Sequence, residues 1–189
     1  MVTIIFAHPW HGSFNKAILD TVTAALEQKK KEYQVIDLNK DKFNPVLSEE
    51  ELAVYQKGQY KDPLIAKYQD MIKGTEEIIF IFPVWWYDVP AILKGFLDKV
   101  LLENFAFTDS PAGIIGKLTY IKSVKVITTG QAPRWYLKWY AGNPIQKTFI
   151  GATLKSIGIR NAKWIYCRDI TEKDRAKREK FLKRLPEQI

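Results

Sequence analysis

Apolar and polar positions alternate along the chain between two periods. Val2 to Ala7 is an unbroken, β-branched apolar run that reads as a strand. Phe14 to Lys29 then keeps Ala17, Ile18, Val22, Ala25 and Leu26 on one helical face. Tyr33 to Leu38 is a second strand. The polar stretch 39 to 63 holds Ser48 and Glu51 at capping-box spacing, which predicts a short helix, and Leu64 to Lys73 is helical. Glu77 to Phe82 is apolar on both faces, the mark of a central strand.

Pro90 to Leu101 is the clearest helix, with Asp88 as its expected cap. Its stripe is Ile92, Leu93, Phe96, Leu97, Val100 and Leu101, and Lys94, Asp98 and Lys99 are placed opposite. Residues 103 to 121 read as loop. A strand at Val124 to Thr129, a helix at Asn143 to Ile157, a strand at Ala162 to Tyr166 and a helix at Thr171 to Arg184 complete the chain. Strands and helices in alternation predict one α/β domain over 1–189: a three-layer sandwich on a five-stranded parallel sheet in order 2-1-3-4-5. In such sheets ligands lie beyond the carboxyl ends of the strands. "HPWHGSFN", "PVWWYD" and "TTGQAP" follow strands one, three and four, so all three loops are expected at one rim.

Composition narrows the classes. Hydrophobic residues make up 47% of the 189, an ordinary globular share. The longest apolar run, Ile78 to Tyr87, is half of the roughly 20 residues a membrane helix needs, and no signal-peptide pattern opens the chain. A soluble, cytoplasmic protein is expected. Cys167 is a lone thiol in the apolar "AKWIYC" and reads as buried and structural; His8 and His11 alone furnish no zinc site, so no metal is expected. The formal charge of +8 suits anionic ligands, but the cations are scattered and no nucleic-acid module is present.

The loops carry the candidate chemistry. A strand-to-helix loop presents free amides and a positive dipole end, a seat for phosphate. Ser13 can cap the helix and donate to a phosphate oxygen, Asn15 offers a further donor, Gly12 admits close approach and His8 can donate a ring N–H. Neither G-x-G-x-x-G nor a P-loop occurs, so the phosphate belongs to something other than tightly held NAD or ATP. Trp85, Trp86 and Tyr87 suit a flat heterocycle, and flavin fits both ends. Thr128, Thr129 and Gly130 offer hydroxyls, amides and close approach, and the Tyr136 phenol can donate where charge collects on reduction.

These residues resemble the flavodoxin-like NAD(P)H:quinone oxidoreductases, the flavodoxin-2 type. That family includes small FMN- or FAD-binding reductases and ancillary flavoproteins of bacterial potassium-efflux systems. "AHPWHGSFNKA" resembles its phosphate loop, "FPVWWYDVPAILKGFLDKVL" its ring-binding segment and "ITTGQAPRWY" its strand-four loop. The resemblance implies a homodimer with active sites at the interface, and a noncovalent FMN (alternatively FAD) that passes hydride from NAD(P)H to a quinone-like acceptor. By position, His8, Ser13, Phe14 and Asn15 would hold the phosphate end. Pro83, Val84, Trp85, Trp86 and Tyr87 would line the ring, with Thr128, Thr129, Gly130 and catalytic Tyr136 opposite. Gly142 stands where larger members carry a relay histidine, Gln131 replaces a glycine, and their C-terminal extension is missing. The alternative role is a regulatory flavoprotein docked on a potassium-efflux transporter.

Overall fold

The computed structural model describes residues 1–168 and 175–189. Five parallel strands form the sheet: β1 (Val2–Phe6), β2 (Tyr33–Asp37), β3 (Glu77–Pro83), β6 (Ser123–Gly130) and β7 (Ala162–Arg168). Their order is β2-β1-β3-β6-β7, which is 2-1-3-4-5 once the hairpin strands described below are set aside. β3 is buried along nearly its whole length, as a strand covered on both faces requires.

Residue parity along each strand sorts side chains between two cores. Ile4, Phe6, Ile79, Ile81 and Ile127 pack under α1 (Phe14–Gln28), with Leu185 and Ile189 from the C-terminus. Ile5, Phe80, Phe82 and Val126 pack on the other face. There they meet α3 (Pro63–Lys73), α4 (Ala91–Val100) and a wide, π-type helix at Ile145–Leu154. The expected capping box holds α2 (Glu49–Tyr55): the Glu51 N–H donates to Ser48 Oγ, and the Ser48 N–H to Glu51 Oε2 at 2.9 Å. The expected last helix begins within 169–174, outside the described residues; from Arg175 it is α6 (Arg175–Arg184).

Three expectations are corrected. Residues 103 to 121 hold an antiparallel hairpin, β4 (Phe107–Ser110) and β5 (Gly113–Gly116), whose four-residue strands are too short and too little alternating to be read alone. Asp88 does not cap α4. Its Oδ1 accepts from the Val89 N–H at 2.7 Å, while Pro90 occupies the cap position with no side-chain bond. Lys99 is not opposite the apolar stripe: it lies seven residues after Ile92, about 20° short of two full turns, and is 3% exposed.

There Lys99 Nζ meets Glu51 Oε1 at 2.8 Å and the Asn44 carbonyl at 3.1 Å, and lies over the Phe43 ring. The pair therefore pins the segment after β2 onto α4. Burial by itself would raise the Glu51 pKa. The Lys99 ammonium and the Ser48 N–H outweigh it and hold the carboxyl below its ordinary 4.5. The stabilisation is therefore complete above that value and is lost as pH falls through the lower, folded pKa. Lys99→Met, which strands the Glu51 charge, should cost about 3–5 kcal/mol in urea unfolding at neutral pH. A loss under about 1 kcal/mol would show that the pair is not structural.

Candidate active site

The rim is built where β1, β3 and β6 end. Ser13 is buried at the N-cap of α1, and its Oγ accepts from the Lys16 N–H at 3.2 Å. Among the described residues no acceptor meets the Phe14 or Asn15 backbone N–H, the ordinary state of a first helical turn. The Phe14 ring turns away from the rim toward α6, against Phe181 at 6.3 Å and under the Arg178 guanidinium. His8 Nδ1 lies 3.1 Å from the Trp10 N–H and 3.2 Å from the Trp10 carbonyl, which ties the ring to the loop backbone. Burial pushes the His8 pKa down, against the Trp10 backbone bond and with nearby His11, so the ring is a neutral donor near pH 7.

Trp85, Trp86 and Tyr87 do not continue the strand. The Trp85 N–H donates to the Asp88 carbonyl at 3.1 Å and the Asp88 N–H returns to Trp85 at 3.0 Å. Between them Trp86 and Tyr87 sit at φ 49° and 69°. This is a tight turn of the mirror-image type that normally takes Asn and Gly. Bulky residues there are strained by roughly 1–2 kcal/mol each. The turn throws the Trp86 ring into solvent, 94% exposed, and leaves Trp85 and Tyr87 about half exposed.

Cross-links bring the loops together. The Val84 N–H donates to the Thr129 carbonyl at 2.8 Å, and Asn15 Nδ2 donates to Thr129 Oγ1 at 2.9 Å. The His8 and Trp85 rings are 6.0 Å apart, and the Tyr87 and Tyr136 rings 6.3 Å. Beside the Tyr136 hydroxyl, the Tyr87 phenol is pushed above its ordinary value. These contacts frame a cavity of about 650 Å³. Pro83, Val84, Trp85, Trp86 and Tyr87 form one wall, and Thr129, Gly130 and Tyr166 stand across from it.

Several expected residues do not line this cavity, among them Tyr136 and the α1-loop residues His8, Ser13, Phe14 and Asn15. Thr128 is fully buried and its Oγ1 accepts from Trp164 Nε1 at 2.8 Å, so its hydroxyl belongs to the core and does not line the cavity. The strand's period of two sends it to the face opposite Thr129. One N–H of the Asn15 amide is taken by Thr129, and its buried Oδ1 has no hydrogen-bond partner among the described residues. That orphan acceptor, the bare helix amides and the aromatic-walled cavity fit a ligand with hydroxyls between a phosphate and a ring.

Tyr166, Ala132 and Leu137 line the cavity without having been expected to. The Tyr166 hydroxyl donates to the Ala132 carbonyl at 2.7 Å and shapes the segment leading into α5 (Arg134–Trp139), a short helix also missing from the sequence reading. Gly130 is required for the same reason: a Cβ there would lie 2.7 Å from the Tyr166 hydroxyl. The available signal was the position of Tyr166 at the carboxyl end of a strand on the same rim.

The sheet order and this rim agree with a family comparison: the Flavodoxin_2 description, a flavodoxin-like fold, matches residues 1–189. The chain belongs to the Flavodoxin_2 family. An uncharacterised NAD(P)H oxidoreductase of Haemophilus influenzae is 31% identical over 168 residues, 88% of this chain and 83% of that one. NAD(P)H dehydrogenase [quinone] 1 of Rattus norvegicus is 30% identical over 150 residues, 70% of this chain but only 54% of the rat protein. The NAD(P)H:quinone oxidoreductase of Methanothermobacter marburgensis superposes with a TM-score of 0.89 at 25% identity, covering 98% of this chain and 95% of that one.

In this Flavodoxin_2 protein the strained turn makes a direct test. Trp86→Gly removes an exposed ring and relaxes a positive φ, so it should raise stability by up to about 1 kcal/mol in a thermal melt. A loss of more than about 1 kcal/mol would show that the turn depends on the indole.

Proposed function

We propose that this chain is a flavin-dependent NAD(P)H oxidoreductase that passes hydride equivalents to a quinone-like acceptor, with FMN its cofactor and FAD the alternative. The observation that carries the reading is an aromatic-walled cavity between the loops after β3 and β6, tied through the Asn15–Thr129 bond to the bare N-terminus of α1. The names borne by its relatives support it. Ser13 Oγ and the Phe14 and Asn15 amides would hold the phosphate, where the helix dipole favours negative charge. Neutral His8 would add a ring N–H donor without a second charge. Asn15 Oδ1 would accept from a hydroxyl of the linker. Pro83, Val84 and the Trp85–Tyr87 turn would lie along the ring, with Thr129 and Gly130 presenting backbone across from them.

Bound flavin supplies the two-electron relay between nicotinamide and acceptor; the protein supplies position, dryness and charge. Tyr136, whose ring lies 6.3 Å from that of Tyr87 at the edge of the cavity, would donate toward charge that collects on reduction. The open side of the cavity at Trp86 is where a second copy of the chain would close it. Sedimentation velocity should therefore return twice the 21.9 kDa chain mass, and a monomer at micromolar concentration removes the dimer.

An absorption spectrum and mass spectrometry of the released cofactor test the core of the reading: a protein that stays colourless with excess FMN and FAD refutes it. Two variants separate the roles. Ser13→Asp should lose flavin through charge repulsion at the phosphate. Tyr136→Phe should retain flavin and be reduced by NAD(P)H at least about tenfold more slowly, within the usual worth of a positioned proton donor. Full flavin content in the first, or an unchanged stopped-flow rate in the second, removes that residue from its role.

A further inference from the structure

α5 has a second use. Leu137 points to the flavin cavity, while residues on the other side of the helix line a separate cavity of about 430 Å³. Two columns run along it at i, i+4 spacing: the cations Arg134 and Lys138, and the indoles Trp135 and Trp139, which are 58% and 70% exposed. The Arg134 guanidinium stacks on Trp164 at 5.4 Å, and Lys138 Nζ lies 4.6 Å above Trp139. No carboxylate lines the cavity, and neither cation meets one among the described residues. Asn143, held at φ 55° with its N–H on the Leu137 carbonyl, also lines it. Its Oδ1 is buried and has no hydrogen-bond partner.

Each feature names part of a ligand. Exposed indoles take a flat ring. A side-chain amide beside them matches the donor–acceptor edge of adenine, whichever way the amide is turned. Two unmatched cations take phosphate, and a nearby arginine is the usual device for a ribose 2′-phosphate. A quinone brings no anion, and the flavin phosphate has its own seat at Ser13. We propose that this cavity seats the adenosine 2′-phosphate end of NADPH, so that the chain selects NADPH over NADH. The choice of dinucleotide rests on the oxidoreductase reading, but occupancy of the cavity does not require flavin.

The probe is adenosine 2′,5′-bisphosphate, which has no nicotinamide and cannot reduce a flavin. Isothermal titration calorimetry on the purified protein should show it binding at least tenfold more tightly than 5′-AMP. Trp139→Ala and Arg134→Ala, both at exposed positions, should each weaken the bisphosphate at least tenfold with far-UV circular dichroism and flavin content unchanged. No binding, equal affinity for the two nucleotides, or affinity indifferent to both variants overturns the proposal. So does a fall in sedimentation coefficient for Trp139→Ala without nucleotide binding, which would assign the indoles to a second copy of the chain. Bisphosphate binding by a protein that takes no flavin would keep this site and sink the reductase reading. A flavoprotein reduced equally well by NADH and NADPH would do the reverse.

Discussion

The rim depends on the hydrogen bond from the buried Asn15 amide to the buried Thr129 hydroxyl. β1 and β6 are not neighbours, because β3 lies between them. The bond therefore crosses the end of β3 and holds the two flanking loops at a fixed separation. Both partners are inaccessible to water, so losing either would leave a buried polar group unpaired, at about 1–3 kcal/mol. With that crossing fixed, the helix amides on one side and the cavity on the other keep one relative position. A ligand held at both ends then meets a preorganised site and loses less freedom on binding.

The same bond shows where sequence reading stops. Asn15 was legible as a rim residue, because the strand-to-helix loop is a local pattern. Which of its amide atoms faces a ligand depended on Thr129, more than a hundred residues away. Thr128 and Thr129 look alike in sequence, yet the pleat sends one hydroxyl to Trp164 and the other to Asn15. The sheet order was readable because alternation of elements leaves few topologies. The hairpin was not, since Phe107–Ser110 acquires strand character only from its pairing with Gly113–Gly116. The helical period puts Lys99 on the apolar face despite its charge, and its partner Glu51 comes from a helix far back in the chain.

The consecutive rings of the "WWY" run are explained by the turn. In a strand they would alternate between faces, and at least one would enter the core. At φ 49° and 69° they project together at the rim. Strain in bulky residues persists only where the surroundings over-determine it, here through the paired Trp85–Asp88 bonds and the anchoring of Val84 on Thr129. Replacement by Asn-Gly would suit the turn better and leave the cavity without its wall.

Charge follows the same division between structure and site. Asp20, Asp70, Asp98, Glu76, Glu77 and Glu51 each hold a lysine, away from the rim cavity. With those acids committed, the net charge of +8 is expressed by cations that meet no carboxylate among the described residues, including Arg134 and Lys138 on the helix that carries Tyr136. On the proposed reading, a basic field at that edge would draw polyanionic dinucleotides toward the cavity and leave uncharged quinones unaffected. Raising the salt concentration should therefore slow reduction by the nicotinamide more than re-oxidation by a neutral acceptor. On the proposed reading the two half-reactions would share one cavity but not one electrostatic approach.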